Sequence, residues 1–178
     1  MCIRDRATII RDSLYDVIAL DALALDLIST PEFVRLQGVK QLGFCYRVWP
    51  GATHTRFEHS LGVYALMQRA LRTLLARAET RAALAVTADD LRTLLAAALL
   101  HDVGHYPFSH AIEELGHPIA PHEQTGRHAI EDGHIAPVLE RHGLVPARVA
   151  DLVDPPRDRP LEPTDALLLR LLSGPLDV

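Results

Sequence analysis

Residues 91–110 read LRTLLAAALLHDVGHYPFSH, a leucine- and alanine-rich run that ends in a cluster of histidines. Its apolar residues recur at spacings of three and four and do not alternate, which indicates a helix and not a strand. The preceding TADD at residues 87–90 fits a capping box, and Gly104 fits the residue that closes a helix. The stretch therefore predicts a buried helix that runs to Val103 and carries polar groups in its last turn.

The rest of the chain also predicts helix after helix, separated by glycine and proline signals. The other predicted helices cover residues 16–28, 30–41, 55–85, 109–115, 123–132, 135–142, 146–153 and 164–173. Residues 43–50 are the one strand-like piece, which is too short to build a sheet alone. We therefore expect an all-α fold in a single domain.

The composition is that of an ordinary globular domain: 178 residues, of which 48% are hydrophobic and 23% charged. A net charge of −5 argues against general nucleic-acid binding, because that activity needs a dominant basic surface. The two cysteines cannot form a disulfide framework. No apolar run approaches the ~18 residues of a membrane-spanning helix. We expect a cytoplasmic protein without a membrane partner.

The unusual feature of the composition is its ten histidines, since histidine is both a common metal ligand and a common acid–base group. His101 and Asp102 follow a strongly apolar run, so they need compensation by hydrogen bonds or a metal. An imidazole together with a carboxylate suits Mn, Fe, Zn, Co or Mg. His59, early in the preceding predicted helix, is the candidate for a third ligand. The dipeptide by itself is more typical of a solvated helix end.

Two segments, RFEHSLGV at residues 56–63 and HDVGHYPFSH at residues 101–110, resemble the HD-domain metal-dependent phosphohydrolases. Within that superfamily they are similar to the deoxynucleoside-triphosphate triphosphohydrolase branch. Shorter matches are TPEF at 30–33, RL at 35–36, KQLG at 40–43, PGATH at 50–54 and HE at 122–123. The resemblance covers residues 8–178, leaves residues 1–7 unassigned, and implies an all-α HD-domain helical bundle.

The resemblance implies one divalent metal ion, held by His59, His101 and Asp102. In the family a later aspartate completes the ligand set, and SGPLDV at residues 173–178 resembles the segment that leads to it. Asp177 matches a neighbouring aspartate that is not a ligand, so the ligand would follow as residue 179. We therefore expect an HD domain truncated at its C-terminus, the N-terminal part of a longer catalytic region.

The resemblance also implies residues for proton transfer and for substrate binding. Those that match the acid–base group are His110, Glu113 and His122. Those that match positions near the phosphates, base and sugar are Arg56, His105, Gln41 and Leu42. The spacing of His110 and Glu113 lets the carboxylate orient the imidazole on one helix face, although the pair alone fits a surface contact equally well.

Of the five other histidines, 117, 128, 134 and 142 are expected in solvated or capping roles, and His54 is expected to order the N-terminus of the predicted helix that carries His59. Relatives regulated by a guanine nucleotide carry an Asp, a Gln and an Arg around the Thr-Pro-x-Phe motif. The matching residues here are Ser29, Val34 and Gln37. Because all three differ, nucleotide-triggered tetramer assembly by that route is not expected, and another homo-oligomer stays open.

The matches predict a metal-dependent phosphohydrolase that converts dNTPs to deoxynucleoside and triphosphate. One alternative is an HD hydrolase of another phosphoester, such as a nucleoside monophosphate or a signalling nucleotide. Another is an inactive fragment or binding module that lacks the fourth metal ligand. In the first two cases the partner is a nucleotide or another phosphorylated small molecule.

Overall fold

A computed structural model describes residues 8–108, 112 and 120–173 of the chain. Across these ranges the protein is a bundle of helices with one antiparallel hairpin at its N-terminal side, which confirms the all-α class. In the described part of the chain, no helix is both long and apolar enough to cross a membrane.

The hairpin pairs strand β1 (Thr8–Asp12) with strand β2 (Asp16–Leu20), with Thr8 opposite Leu20. Short 3-10 turns cover Arg35–Gly38 and Cys45–Arg47. The described helices are α1 (Ala22–Ile28), α2 (Pro31–Val34), α3 (Arg56–Ala76), α4 (Ala78–Leu84), α5 (Ala88–Leu100), α6 (His122–Asp132), α7 (Ile135–Arg141), α8 (Pro146–Val153) and α9 (Pro163–Ser173).

Helix α5 is the centre of the core. It packs against α3, α8 and α9, and residues 96–100 are each 2% exposed or less. The C-terminal part of this helix, residues 94–100, has little solvent-facing surface, which explains why that stretch is uniformly apolar. Its N-terminal capping box is confirmed, because the Thr87 side chain accepts from Asp90 N and the Asp90 carboxylate accepts from Thr87 N. The packing of α5 fixes the position of the residues that follow it.

The hairpin is the main departure from the sequence-based expectation, which placed one helix over residues 16–28. Strand β2 ends at Leu20 and α1 begins at Ala22, after Asp21 accepts a hydrogen bond from Ala24 N at 2.8 Å. Ile18 and Leu20 are 1% and 2% exposed, as alternate residues of a half-buried strand. Ile18 and Leu20 are too few apolar positions to distinguish the spacing of two that is typical of a strand from the spacing of three or four that is typical of a helix.

Several helix boundaries also differ from those that the sequence predicts. The helix expected over 30–41 ends at Val34 and continues only as a 3-10 turn. The helix expected over 55–85 breaks at Arg77, whose ψ of 121° is extended. Residues 43–50 form turns and contain no strand. Helix α5 stops at Leu100, so that residues 101–104 form turns beyond its end.

Candidate metal centre

Three of the predicted ligands come from the start of α3 and the end of α5. A second capping box begins α3: Thr55 accepts from Glu58 N, and the Glu58 carboxylate accepts from Thr55 N at 2.6 Å. It fixes the turn that carries His59, whose own amide donates to Thr55 O at 3.0 Å. His101 and Asp102 follow the last residue of α5 and face this turn.

The ligand atoms of these three side chains form a tight cluster. His59 Nε2 lies 3.2 Å from His101 Nε2 and 3.8 Å from Asp102 Oδ2. His101 Nε2 lies 3.4 Å from Asp102 Oδ1. Ligand bonds of about 2.0–2.2 Å place neighbouring ligand atoms roughly 3–3.5 Å apart. The residues present therefore fit one divalent ion, and two imidazoles with one carboxylate are a common ligand set for such an ion.

Neighbouring groups orient both ligands that follow α5. His101 Nδ1 lies 2.9 Å from Ala98 O, so Nδ1 carries the proton and the Nε2 lone pair faces the cluster. Asp102, 5% exposed, accepts from Arg56 Nη1 at 2.6 Å through Oδ2. This leaves Oδ1 directed toward His101, and toward His105 Nδ1 at 3.5 Å.

The electrostatics favour the protonation states that a metal requires. Burial lowers the pKa of His59 below its ordinary value, and the charge of Asp102 only partly opposes this. Burial alone would raise the pKa of Asp102, but the charges of His101, His105 and Arg56 outweigh it and hold that pKa below its usual range. A neutral imidazole and an ionised carboxylate are the forms that bind metal.

The cluster forms one wall of a cavity of about 510 Å³, within the roughly 300–1,000 Å³ range of small-molecule sites. The described residues that line it are His59, Val63, His101, Asp102, His122, Glu123, Leu152, Val153, Leu172 and Ser173. The lining thus combines the polar ligands with apolar side chains of α8 and α9.

Helix α6 brings two further predicted residues into contact beside the cluster. The ring of His122, on the first turn of α6, lies 3.6 Å from the ring of His105, measured between centroids. His105 is 2% exposed and also faces Asp102. Glu123 lines the cavity with its carboxylate 3.4 Å from His122 Nε2. Sequence reasoning gave Glu123 no role, although it adjoins a residue that the motif did single out.

Gly104 allows α6 to approach the turn this closely. A Cβ atom at this position would lie 1.9 Å from His122 O and 2.3 Å from Gly126 N. Both are backbone atoms that cannot rotate away, so a side chain here would push α6 outward. The glycine therefore helps to place His122 at the cavity.

The other predicted site residues are not brought to the cavity wall in the described part of the chain. Arg56 is 4% exposed and lies behind Asp102. Leu42 is 48% exposed, and neither it nor Gln41 lines the cavity. Their substrate-binding roles stay predictions. Outside the described residues lie His110, Glu113, His117 and Asp177.

Three remaining histidines pair with acidic groups away from the cavity. His128 and His134 are exposed and lie 2.7 Å from Asp132 and 3.0 Å from Glu32. His142 is half-buried, with Nε2 2.8 Å from Asp26 Oδ2. It therefore joins α7 to α1, a contact between distant residues that no local pattern indicates.

Comparison with known proteins places the three clustered residues within a known protein family. The profile of the family described as HD domain matches residues 56–167, a range that contains all three clustered ligands. The chain belongs to the HD domain family. The crystal structure of a hypothetical protein from Aquifex aeolicus is similar to it with a TM-score of 0.77 and 32% identity, over 95% of this chain and 42% of that one.

Three curated proteins show sequence similarity to most of the chain. The chain is 38% identical over 155 residues to bovine deoxynucleoside triphosphate triphosphohydrolase SAMHD1, covering 82% of this chain and 26% of that protein. It is 39% identical over 152 residues to the human protein of the same name, covering 80% and 24%. An uncharacterized protein of Methanocaldococcus jannaschii, MJ1154, is 40% identical over 123 residues, covering 69% and 24%. The chain thus spans about a quarter of the length of these curated relatives.

Proposed function

We propose that this HD domain is the metal-binding part of a phosphohydrolase that converts dNTPs to deoxynucleoside and triphosphate. The observation that carries the proposal is the cluster of His59, His101 and Asp102 on the wall of a substrate-sized cavity. The chain that holds this cluster is 38% and 39% identical to two deoxynucleoside triphosphate triphosphohydrolases. The cofactor is one divalent ion, with Mn, Fe, Zn, Co and Mg all compatible with the ligands.

The protein's own residues prepare the centre for a phosphorylated substrate. A divalent ion in this position supplies a Lewis acid for a phosphoryl oxygen and lowers the pKa of a bound water. Arg56 keeps the Asp102 carboxylate ionised and fixes Oδ2. The Ala98 carbonyl keeps the proton of His101 on Nδ1, away from the cluster.

Hydrolysis also requires a proton donor for the leaving group. Water adds its oxygen to the α-phosphorus, the bond to the 5′ oxygen breaks, and that oxygen takes up the proton that the water gives up. His122 lines the cavity beside the cluster, so its imidazole is placed to carry this proton. His110 with Glu113, the pair that the family resemblance implies, is the other predicted donor.

The cavity suits a molecule that is charged at one end and apolar at the other. Phosphate oxygens match the polar ligands, and Leu152, Val153 and Leu172 add apolar surface to the same cavity. A nucleotide has this division between its phosphates and its base. The cytoplasmic location stays a prediction from the sequence.

The test is incubation of the chain with each of the four dNTPs in Mn²⁺ or Mg²⁺. We expect equal amounts of deoxynucleoside, measured by reversed-phase chromatography, and triphosphate, measured by ion chromatography. Asp102→Asn should abolish both products. Asp90→Asn, which changes a buried aspartate at the other end of α5, should retain them. No triphosphate from any of the four substrates would contradict the proposal.

The same ligands would also serve an HD hydrolase of another phosphoester, because a divalent ion on them would act on phosphoryl groups in general. A panel of nucleoside monophosphates and cyclic or signalling nucleotides distinguishes this case by release of other products. Tightly bound, near-stoichiometric metal in the purified chain would contradict the remaining alternative, an inactive fragment or binding module that lacks the fourth ligand. Elemental analysis of the purified chain measures that stoichiometry.

A further inference from the structure

The segment of residues 31–39, made of α2 and the following 3-10 turn, touches both elements that carry the metal ligands. On the side of α3, the ring of Phe33 packs edge-on against Phe57, with centroids 5.2 Å apart. Val39 O accepts from Arg56 N at 2.8 Å. These contacts lie within three residues of His59. The segment is itself fixed in the core, because Phe33 and Leu36 are both 0% exposed.

On the other side, the segment reaches the turn after α5 through one side chain. Arg35 Nη1 donates to His105 O at 2.5 Å, and Arg35 Nη2 donates to Val103 O. The two carbonyls flank Gly104, so the guanidinium bridges the turn. A planar guanidinium with several fixed donors can hold two acceptors at once, whereas an ammonium group on a flexible chain does so poorly.

These two hydrogen bonds satisfy acceptors that have little access to water. Val103 and His105 are 0% and 2% exposed, and a buried carbonyl without a donor is unfavourable. Helix α6 also packs against this turn, because its backbone lies close to Gly104. Arg35 and α6 therefore both hold the turn, and Asp102 lies within it.

We propose that Arg35 is a positioning residue of the metal centre: it fixes the turn that carries Asp102 and His105 relative to His59 on α3. The inference rests on the proposed metal site. Arg35 touches neither the ligand atoms nor the cavity wall among the described residues, so it acts through the backbone of residues 103–105.

Arg35→Lys tests the bridge because it keeps the positive charge and removes the fork of donors. Arg92→Lys is the matched control, since Arg92 Nη2 likewise donates to a distant backbone carbonyl, His142 O, at 2.7 Å. Arg35→Met removes both donors. Circular dichroism shows whether each variant is folded. If Arg35→Met does not fold, Arg35→Lys alone tests whether Arg35 positions the turn.

The first readout is amide hydrogen exchange of the metal-free chain, followed by NMR at Val103 and His105. Their amides donate to Leu100 O and Asp102 O within the turn. We expect exchange about tenfold faster in Arg35→Lys and within about twofold of the unmodified chain in Arg92→Lys. The second readout is the Mn²⁺ dissociation constant from electron paramagnetic resonance, which should rise roughly tenfold in Arg35→Lys alone.

Unchanged exchange and unchanged Mn²⁺ affinity in Arg35→Lys would overturn the inference. Equal changes in Arg35→Lys and Arg92→Lys would also overturn it, because they would show a general loss of stability. An unmodified chain that binds no Mn²⁺ would instead contradict the proposed function, and the exchange rates of the metal-free chain would still decide the role of Arg35.

Discussion

The two ends of α5 each carry a buried aspartate that faces an arginine from another helix. At the N-terminal end Asp90 is 7% exposed and its Oδ1 accepts from Arg148 Nη2 at 2.5 Å. At the C-terminal end Asp102 is 5% exposed and its Oδ2 accepts from Arg56 Nη1 at 2.6 Å. The two aspartates are therefore similarly buried and each faces a cation, although the Arg148 side chain is more exposed than that of Arg56.

Their remaining contacts differ. Asp90 Oδ2 accepts from the amide and the hydroxyl of Thr87, both at 2.7 Å, so both carboxylate oxygens are engaged by donors. Arg148 also donates to Asp165 at 2.6 Å, which closes the network. Asp102 Oδ1, in contrast, faces the ring nitrogens of His101 and His105 at 3.4 Å and 3.5 Å, and the residue lines a cavity.

The difference shows which observation separates a structural carboxylate from a candidate ligand. Burial alone would raise both pKa values. Donors from Thr87 and Arg148 lower that of Asp90, and the charges of His101, His105 and Arg56 lower that of Asp102. The pKa is therefore lowered at both aspartates. What distinguishes them is the geometry of Asp102 Oδ1, which faces ring nitrogens beside a cavity, whereas both oxygens of Asp90 accept hydrogen bonds from structural donors.

The largest expected difference between the two ends of α5 is the effect of neutralising each aspartate on metal binding. Asp102→Asn should weaken Mn²⁺ binding by about 100-fold or more, since loss of a ligand should exceed the 10–100-fold effects of outer-shell changes. Asp90→Asn should leave the Mn²⁺ dissociation constant within about twofold of the unmodified chain, because the described contacts of Asp90 are to Thr87 and Arg148 and not to the ligands. Paramagnetic resonance titration measures both. Equal losses would mean that the two ends are not functionally distinct.

A steric change at Gly104 tests how tightly α6 packs against the turn after α5. Gly104→Ala should lower the free energy of unfolding by about 2 kcal/mol, because its Cβ would overlap the backbone of α6. Gly51→Ala is the control, since a Cβ there meets nothing within 4 Å. Urea unfolding followed by circular dichroism gives both values. A cost for Gly104→Ala no larger than that for Gly51→Ala would show that α6 moves freely relative to the turn.

The fold class and the three candidate metal ligands could be predicted from the sequence because both depend on local patterns. The spacing of leucine and alanine indicates α5, and the capping box of Thr87 and Asp90 marks its start. His101 and Asp102 are neighbours directly after an apolar run, and the motif around His59 supplies the third ligand. Their convergence needed only that α3 and α5 pack side by side.

The contacts that hold the centre in place could not be predicted because they join residues far apart in the chain. Arg56 and Asp102 are separated by 46 positions, and Arg35 and His105 by 70. The family motif predicts that Arg56 binds phosphate, and it gave no sign of the hydrogen bond that the Arg56 guanidinium donates to the Asp102 carboxylate. The hairpin was missed for a different reason, since β2 offers only two buried positions.

The capping boxes of α3 and α5 provide a smaller and closely matched test. Thr55→Ala and Thr87→Ala should each cost about 1 kcal/mol of folding free energy, because each removes a side-chain acceptor at a helix N-terminus. Only Thr55→Ala should also weaken Mn²⁺ binding, by about threefold, because His59 lies in the turn that the cap orders. Urea unfolding and Mn²⁺ titration are run on both variants. A similar Mn²⁺ effect in Thr87→Ala would remove the distinction between the two helix starts.

The smallest expected effect is a difference in pH dependence between the two ends of α5. The pKa of His59 is lowered from 6.5 by burial, so the unfolded chain binds more protons and stability falls as pH drops from 6.5 toward the folded value. The pKa of Asp90 is lowered from 3.8, so its contribution is lost only below 3.8.

His59→Gln should therefore reduce the pH dependence of the free energy of unfolding of the metal-free chain between about pH 7 and about pH 5. Urea unfolding in the presence of a chelator measures this dependence. Asp90→Asn should shift stability by the same amount at both pH values, because its carboxylate stays ionised throughout that window. If His59→Gln left the slope unchanged, the imidazole would titrate alike in the folded and unfolded chains. Burial would then not be what keeps His59 neutral, and the candidate metal centre at the C-terminal end of α5 would lose one of the properties that support it.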